Sequence, residues 1–123
     1  MTITLDNSNV DFSHLQVGDN DWSTGITIDA GYAPWYVKVV DITGSPTPGY
    51  VVNTTDPSIH LTDPLLVESI DTSTYDAMGS SLIIWTGTST GQFTGTLCLR
   101  QHLEINDPIG SYNLKFNIEG GSP

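Results

Sequence analysis

Acidic side chains in turn-like segments are the first candidates for chemistry in this chain. Asp19 and Asp21 flank an asparagine directly after Gly18, and Asp107 precedes a proline in a second turn-like segment. Carboxylates, amides and backbone carbonyls in loops on a β-scaffold are the oxygen ligands that Ca²⁺ takes in proteins. Aspartate is also a common turn former, and no glutamate closes an EF-hand loop here. Asp19, Asp21 and Asp107 are therefore candidate calcium ligands, with turn formation as the more common alternative.

Residue types that support catalysis are present, but their spacing does not bring them together. Cys98 and His102 lie four residues apart in a segment predicted to be a strand, where that spacing corresponds to roughly 13 Å. The three histidines, His14, His60 and His102, lie on separate segments, so their spacing predicts no zinc site. The chain lacks a nucleophile elbow, a glycine-rich phosphate loop and a helical zinc motif. We therefore expect no catalytic residues, no cofactor other than calcium, and no enzyme; an acidic hydrolase or cupin-like metal enzyme would require clustered histidines.

Aromatic side chains indicate a second kind of candidate site. Tryptophan and tyrosine rings combine a large apolar face with a polar group, and exposed ones on a β-sandwich can stack against sugars. Trp22, beside the acidic segment, and Tyr36 are the candidate glycan-stacking residues. Packing in the core or against loops is the alternative for both, and Trp35 is predicted to be a core residue.

The charge balance excludes two classes of partner. The chain has 14 acidic and three basic residues, for a formal net charge of −11. This charge repels nucleic acid and anionic membrane surfaces, and no apolar segment is long enough for membrane insertion. Cys98 is the only cysteine, so no internal disulfide forms. Abundant Thr, Ser, Gly, Asn and Asp with scarce Lys and Glu are typical of secreted and surface β-proteins.

The two ends of the sequence bear on its location. The N-terminus lacks the basic start and apolar run of a signal peptide, and residues 120–123 resemble a linker. We expect a mature extracellular or cell-surface domain supplied with a start methionine, rather than an intracellular protein. The sequon Asn53-Thr54-Thr55 is a glycosylation acceptor if the chain is exported.

Short apolar runs separated by turn residues predict an all-β protein. The pattern predicts an antiparallel β-sandwich of seven to nine strands, Ig-like or jelly-roll, with a closed barrel as the lesser alternative. The strongest early strand begins at Trp35, with Val37 and Val39 facing inward; Gly18–Asp21 is predicted to be a turn. Residues 81–86 are apolar on both phases, as in a strand covered on both sides. At most one short helix is expected, near residues 71–79, in a single domain of residues 1–119 followed by the tail 120–123.

The last third of the chain predicts a long β-hairpin around a turn at residues 106–110. Its apolar residues share one phase on each side of the turn: Leu97, Leu99, Leu103 and Ile105, then Tyr112, Leu114, Phe116 and Ile118. Direct pairing would place Ile105 opposite Tyr112, Leu103 opposite Leu114 and Gln101 opposite Phe116. Gln101 is an amide on the apolar phase. We expect a core glutamine bonded to loop backbone, with ligand binding as the alternative.

The segments 33–39, 86–88 and 106–112 resemble the small Ig-like or pilin-like β-sandwich domains of archaeal and bacterial cell-surface and extracellular-filament proteins. This likeness covers most of the chain and carries no catalytic residues. It implies a structural or adhesive role that depends on packing against subunits of the same kind or neighbouring surface domains.

In filament-forming relatives a terminal strand can complete the sheet of the next subunit. Here the donor would be residues 2–12, and an ordinary edge strand is the alternative. A carbohydrate-binding module with glycan partners is the alternative function.

Overall fold

The computed structural model describes residues 1–10, 12 and 14–123. Over these residues the chain is all-β and antiparallel, with ten strands and no helix. The strands are β1 (Thr2–Leu5), β2 (Gly18–Ala30), β3 (Trp35–Asp41), β4 (Val52–Asn53), β5 (Leu66–Glu68), β6 (Tyr75–Ala77), β7 (Ser81–Gly87), β8 (Gly91–Leu103), β9 (Tyr112–Asn113) and β10 (Phe116–Gly121). The all-β sandwich expectation is confirmed, although four strands of two or three residues raise the count beyond seven to nine.

The first sheet is built around the two longest strands. Its order is β1-β2-β8-β5-β6, and β2 pairs with β8 along their full length, from Gly18 opposite Leu103 to Ala30 opposite Gly91. Because side chains alternate between faces along a strand, this long register places one set in the core and the other on the outer face.

Two further sheets complete the fold. The second sheet has the order β10-β3-β7, and a β-bulge interrupts the β3–β7 pairing between Val37 and Lys38. The third is the short pair of β4 with β9. The sheets do not close into a barrel, because each of the two larger sheets ends in edge strands.

The core lies between the two larger sheets. Ile26, Ile28, Leu97 and Leu99 contribute from the first sheet, and Trp35, Val37 and Val39 from the second; all seven are buried, as predicted for the β3 residues. The Trp35 ring joins the sheets, with its centroid 5.5 Å from that of Phe93 on β8 and 5.7 Å from that of Trp85 on β7. A Cβ atom at Gly87 would lie 2.1 Å from this ring, so the close approach requires glycine.

The predicted hairpin between residues 97–105 and 112–118 is wrong. β8 already has β2 on one side and β5 on the other, so it has no free edge for the segment that follows the turn. That segment divides instead, with β9 pairing with β4 and β10 with β3. Ile105, predicted to face inward, is 80% exposed. The prediction for Gln101 is confirmed in its burial and its bond to loop backbone, since its amide nitrogen donates to the carbonyl of Asp63. The amide is not fully satisfied, because Oε1 has no hydrogen-bond partner among the described residues.

Several local predictions are also corrected. Gly18–Asp21 is the start of β2 rather than a turn, because its acidic side chains find cationic partners across the sheet. No helix forms in residues 71–79; Ser73 adopts a φ of 56°, and β6 pairs with β5. β7 is covered on only one face, since Ile83 is 53% exposed. Gly120 and Gly121, predicted to begin the tail, belong to β10.

The inward face of β2 can be tested by replacing one buried isoleucine. We expect Ile28→Ala to lower the free energy of unfolding by about 2–5 kcal/mol, because Ile28 is fully buried and the truncation leaves a cavity. The same substitution at the half-exposed Ile83 should cost less than about 1 kcal/mol. Urea denaturation followed by tryptophan fluorescence measures both. Equal losses would show that the assigned faces are wrong.

Candidate functional site

The outer face of the β2–β8 pair carries two matched charge pairs. The register places Asp19 opposite His102 and Asp21 opposite Arg100. Arg100 donates to Asp21 from Nε at 2.7 Å and from Nη2 at 3.0 Å, and its guanidinium carbon lies 4.4 Å from the ring centroid of Tyr75 on β6. The hydrogen bond from Arg100 lowers the pKa of Asp21. Two of the three calcium candidates therefore already have partners across the sheet, Asp21 with Arg100 and Asp19 with His102.

Asp107 makes no hydrogen bond to these pairs among the described residues and organises the loop between β8 and β9. Its Oδ1 accepts hydrogen bonds from the backbone and hydroxyl of Thr62, at 2.9 and 2.7 Å, and its Oδ2 accepts one from the backbone of Glu104 at 2.8 Å. Burial alone would raise the pKa of Asp107, but these hydrogen bonds from Thr62 and Glu104 lower it below the usual value. The carboxylate therefore stays ionised and holds the loop.

A mixed histidine–carboxylate cluster lies next to the Asp19 pair. Among the described residues, only Asp63, His102 and Glu104 form a group of three or more His, Cys, Asp or Glu residues whose ligand atoms all lie within 4.8 Å of one another. His102 Nδ1 lies 2.8 Å from Asp19 Oδ1, which leaves Nε2 directed toward Glu104 Oε1 at 3.6 Å. Asp63 Oδ2 is buried without a hydrogen-bond donor in the described part of the chain.

The protonation equilibria of this cluster follow from its close charges. The hydrogen bond to Asp19, and then the charge of Glu104, raise the pKa of His102. The neighbouring carboxyl of Asp63 raises the pKa of Glu104 through a shared hydrogen bond and through charge repulsion. These contacts therefore favour the protonated forms of His102 and Glu104. The sequence did not predict this cluster, because Asp63 lies on a loop distant in sequence from His102 and Glu104. Only the two-residue spacing of His102 and Glu104 indicated that two of its members share a face.

The two glycan candidates lie in different places. Trp22 is half-buried and lines a cleft of about 260 Å³ between the first sheet and the segment before β2. Tyr36 lies on β3 of the second sheet, with Lys38 Nζ 6.0 Å from its ring centroid, and does not line this cleft. The structure therefore offers no common platform of Trp22 and Tyr36. Sequence reasoning had not connected Gln101 with Trp22, yet both line the cleft.

Cys98 and the remaining histidines are also separate. Cys98 lies on the outer face of β8, and burial, followed by the charges of Glu68 and Asp21, raises the pKa of its thiol. A raised pKa disfavours the thiolate, which is the nucleophilic form. His60 Nδ1 lies 2.7 Å from the Leu61 carbonyl, and its ring packs against Tyr50. Among the described residues, His102 is the one histidine in the metal-ligating group.

An apolar patch lies beside Glu104 of the histidine–carboxylate cluster, and we define it as Val17, Ile105 and Ile109. Val17 is 65% exposed and Ile105 80%, while Ile109 is fully exposed. The loop that carries the two isoleucines is not loose, because Asp107 bonds to Thr62 and the Tyr112 hydroxyl donates to the Pro108 carbonyl. The fold thus holds aliphatic side chains in a fixed position facing solvent.

Comparison with protein-family models, with curated proteins and with solved structures finds no match to this chain. Over the described residues, no helix is long and apolar enough to cross a membrane.

The Asp19–His102 contact predicts a pKa that NMR can measure. We expect the pKa of His102 to lie above its ordinary value of 6.5, and Asp19→Asn to lower it toward that value. A raised pKa means that the pair stabilises the fold below pH 6.5 and that this contribution is lost as the pH rises through the folded pKa. The matched control is Asp29→Asn, which removes an exposed charge elsewhere on β2. Equal shifts in both variants would contradict a local contact.

Proposed function

We propose that this chain is a non-catalytic structural or adhesive domain of an extracellular cell-surface or filament protein. It acts by packing against other protein subunits, either copies of itself or neighbouring surface domains. The observation that supports the proposal best is the apolar patch, in which Ile105 and Ile109 project into solvent from a loop fixed by Asp107. A rigid apolar surface loses little conformational freedom on docking, so most of the gain from burial is retained.

The free energy that burial of the patch would contribute is of the size expected for a protein–protein contact. Each isoleucine that a partner buries fully contributes roughly 1.5–3 kcal/mol. Exposed aliphatic side chains that form a contiguous patch are characteristic of interaction surfaces, whereas scattered ones are ordinary. The patch borders Glu104 in a chain with a net charge of −11, so two copies that pack through it repel each other electrostatically and the apolar contact must exceed that repulsion.

Other features support the non-catalytic and extracellular parts of the proposal. Asp21 is bonded to Arg100 and Asp19 to His102, and the Cys98 thiol has a raised pKa. The Thr- and Asn-rich acidic composition is typical of surface β-proteins, and the negative charge makes nucleic acid an unsuitable partner.

Donation of the N-terminal strand is a second route by which such a domain can pack. β1 lies at the edge of the first sheet, where four residues pair with β2 from Thr2 opposite Asp29 to Leu5 opposite Ile26. Donation would exchange this short pairing for the same pairing with the β2 of another copy, so it gains little and loses little in free energy. Residue 11 of the predicted donor segment 2–12 lies outside the described residues.

The proposal predicts self-association that depends on the patch. We expect the double variant Ile105→Ser and Ile109→Ser to weaken self-association by about tenfold or more, since two apolar contacts are lost. Sedimentation velocity over a concentration series measures the effect. Added salt should strengthen the wild-type association, because it screens the repulsion between acidic copies.

The matched control is Ile42→Ser with Ile83→Ser, which removes two other exposed isoleucines. A second control prevents strand donation. Thr4 and Thr27 are opposite each other on β1 and β2, so Thr4→Cys with Thr27→Cys can form a disulfide that locks the terminal strand in its own sheet. This variant also carries Cys98→Ser, which removes the competing thiol. Loss of association in the locked protein would identify strand donation rather than the patch. Repeating the runs with calcium and with a chelator tests whether calcium contributes. A wild type that stays monomeric under all these conditions would contradict self-packing.

A further inference from the structure

Gln101 leaves one buried acceptor without a hydrogen-bond donor. Its side chain is 1% exposed, and Nε2 donates to the carbonyls of Asp63 at 3.0 Å and His102 at 2.9 Å. Exchanging the amide oxygen and nitrogen would place Oε1 against two carbonyl oxygens, so this orientation is fixed. Oε1 then has no hydrogen-bond partner among the described residues. A buried acceptor in this state is costly, so each such atom requires an explanation.

The unpaired oxygen belongs to the cleft beside Trp22. Gln101 lines that cleft, and because Nε2 is bonded to the backbone carbonyls of Asp63 and His102, Oε1 is the one polar atom of this side chain that remains unpaired among the described residues. The buried side chains of Leu65 and Leu99 form the apolar part of the lining, and the half-buried Trp22 adds an aromatic ring. The cleft therefore places one hydrogen-bond acceptor beside apolar and aromatic surface.

The charges and amides around the cleft narrow the class of ligand. Asp21 is the one charged side chain in the described lining, and its carboxylate accepts two hydrogen bonds from Arg100. The Asn20 amide nitrogen is not available to a ligand, since it donates to the backbone carbonyls of Gln16, Gly18 and Gln101. The Asp21 carboxylate and the unpaired Gln101 acceptor both disfavour an anionic ligand. The ligand that fits is neutral, carries a hydrogen-bond donor, and has an apolar face.

We propose that this cleft binds a single neutral sugar ring. A ring hydroxyl donates to Gln101 Oε1, and the C–H face of the sugar packs against the Trp22 indole. The volume of about 260 Å³ lies below the roughly 300–1,000 Å³ typical of pockets for drug-sized ligands, which fits one sugar unit. This inference goes beyond packing through the apolar patch and does not depend on it, because the cleft and the patch use different side chains for contact.

The test uses the full chain and two resolved NMR signals, the Trp22 indole N–H and the Gln101 side-chain amide. The probes are the methyl glycosides of glucose, galactose, mannose and N-acetylglucosamine. We expect at least one of them to shift both signals in a saturable way, with a Kd of about 1 mM or tighter. A monodeoxy derivative that lacks the donating hydroxyl should bind about tenfold more weakly, because it leaves Oε1 unpaired.

Two variants separate the site from general effects on folding. Trp22→Leu keeps an apolar side chain but removes the aromatic face, and should weaken binding several-fold to about tenfold. Tyr36→Leu removes the other glycan candidate, which lies outside the cleft, and should leave binding unchanged. Melting temperatures show whether each variant is folded, and the deoxy-sugar series measures the role of Oε1 without any change to the protein.

Three outcomes would overturn the proposal. If none of the four glycosides shifts either signal at its highest soluble concentration, Oε1 is satisfied by water alone. If N-methylacetamide shifts both signals and the glycosides do not, the cleft takes an amide donor from a peptide. If sugar binding is lost in Tyr36→Leu but kept in Trp22→Leu, the sugar site lies on the second sheet.

Discussion

The pairing of β2 with β8 is the constraint on which the rest of the structure depends. Thirteen residues of each strand face each other in one antiparallel register, from Gly18 opposite Leu103 to Ala30 opposite Gly91. Because side chains alternate, a slip of one residue would move every core residue of β2 to the outer face. The register therefore determines at once the core positions of Ile26 and Leu97 and the outward charge pairs at Asp19 and Asp21.

Both candidate binding features arise from consecutive residues at the end of β8. Gln101 faces inward and lines the Trp22 cleft, whereas His102 faces outward and joins Glu104 and Asp63. Gln101 Nε2 also donates to the backbone carbonyl of Asp63, so the same side chain positions one member of the outer cluster and lines the inner cleft. Replacing Gln101 would therefore disturb both, which is why varying the sugar gives the clearer test of Oε1.

Local sequence patterns predicted which face each residue occupies better than which strand it pairs with. The two-residue period correctly assigned Trp35, Val37 and Val39 to the core, because alternation depends only on the strand itself. The same period also predicted a hairpin after Leu103. Strand pairing, however, depends on which sheet edges distant segments occupy, and β2 and β5 occupy both edges of β8. The acidic Gly18–Asp21 segment resembled a turn because its partners, Arg100 and His102, are about eighty residues away in sequence.

The candidate site was predictable only in part, for the same reason. Exposed and half-exposed aromatic or acidic side chains can be proposed one at a time from composition, as Trp22 and Asp107 were. The residues that surround them in the fold cannot be predicted in this way, because Asp63 is brought to His102, and Gln101 to Trp22, only by tertiary contacts. Ile105 was assigned inward because its phase matched Leu103, but β8 ends at Leu103 and the alternation ends with it.

Cross-strand nuclear Overhauser contacts in uniformly labelled protein test the central pairing most directly. The β2–β8 register predicts backbone contacts between Ser23 and Cys98 and between Asp21 and Arg100. Backbone contacts between Gln101 and Phe116 and between Leu103 and Leu114 would instead establish a local hairpin. Such a hairpin would displace β5 from its edge of β8, whereas absence of the Ser23–Cys98 and Asp21–Arg100 contacts would contradict the register, the placement of Gln101 beside Trp22, and the cluster at His102 together.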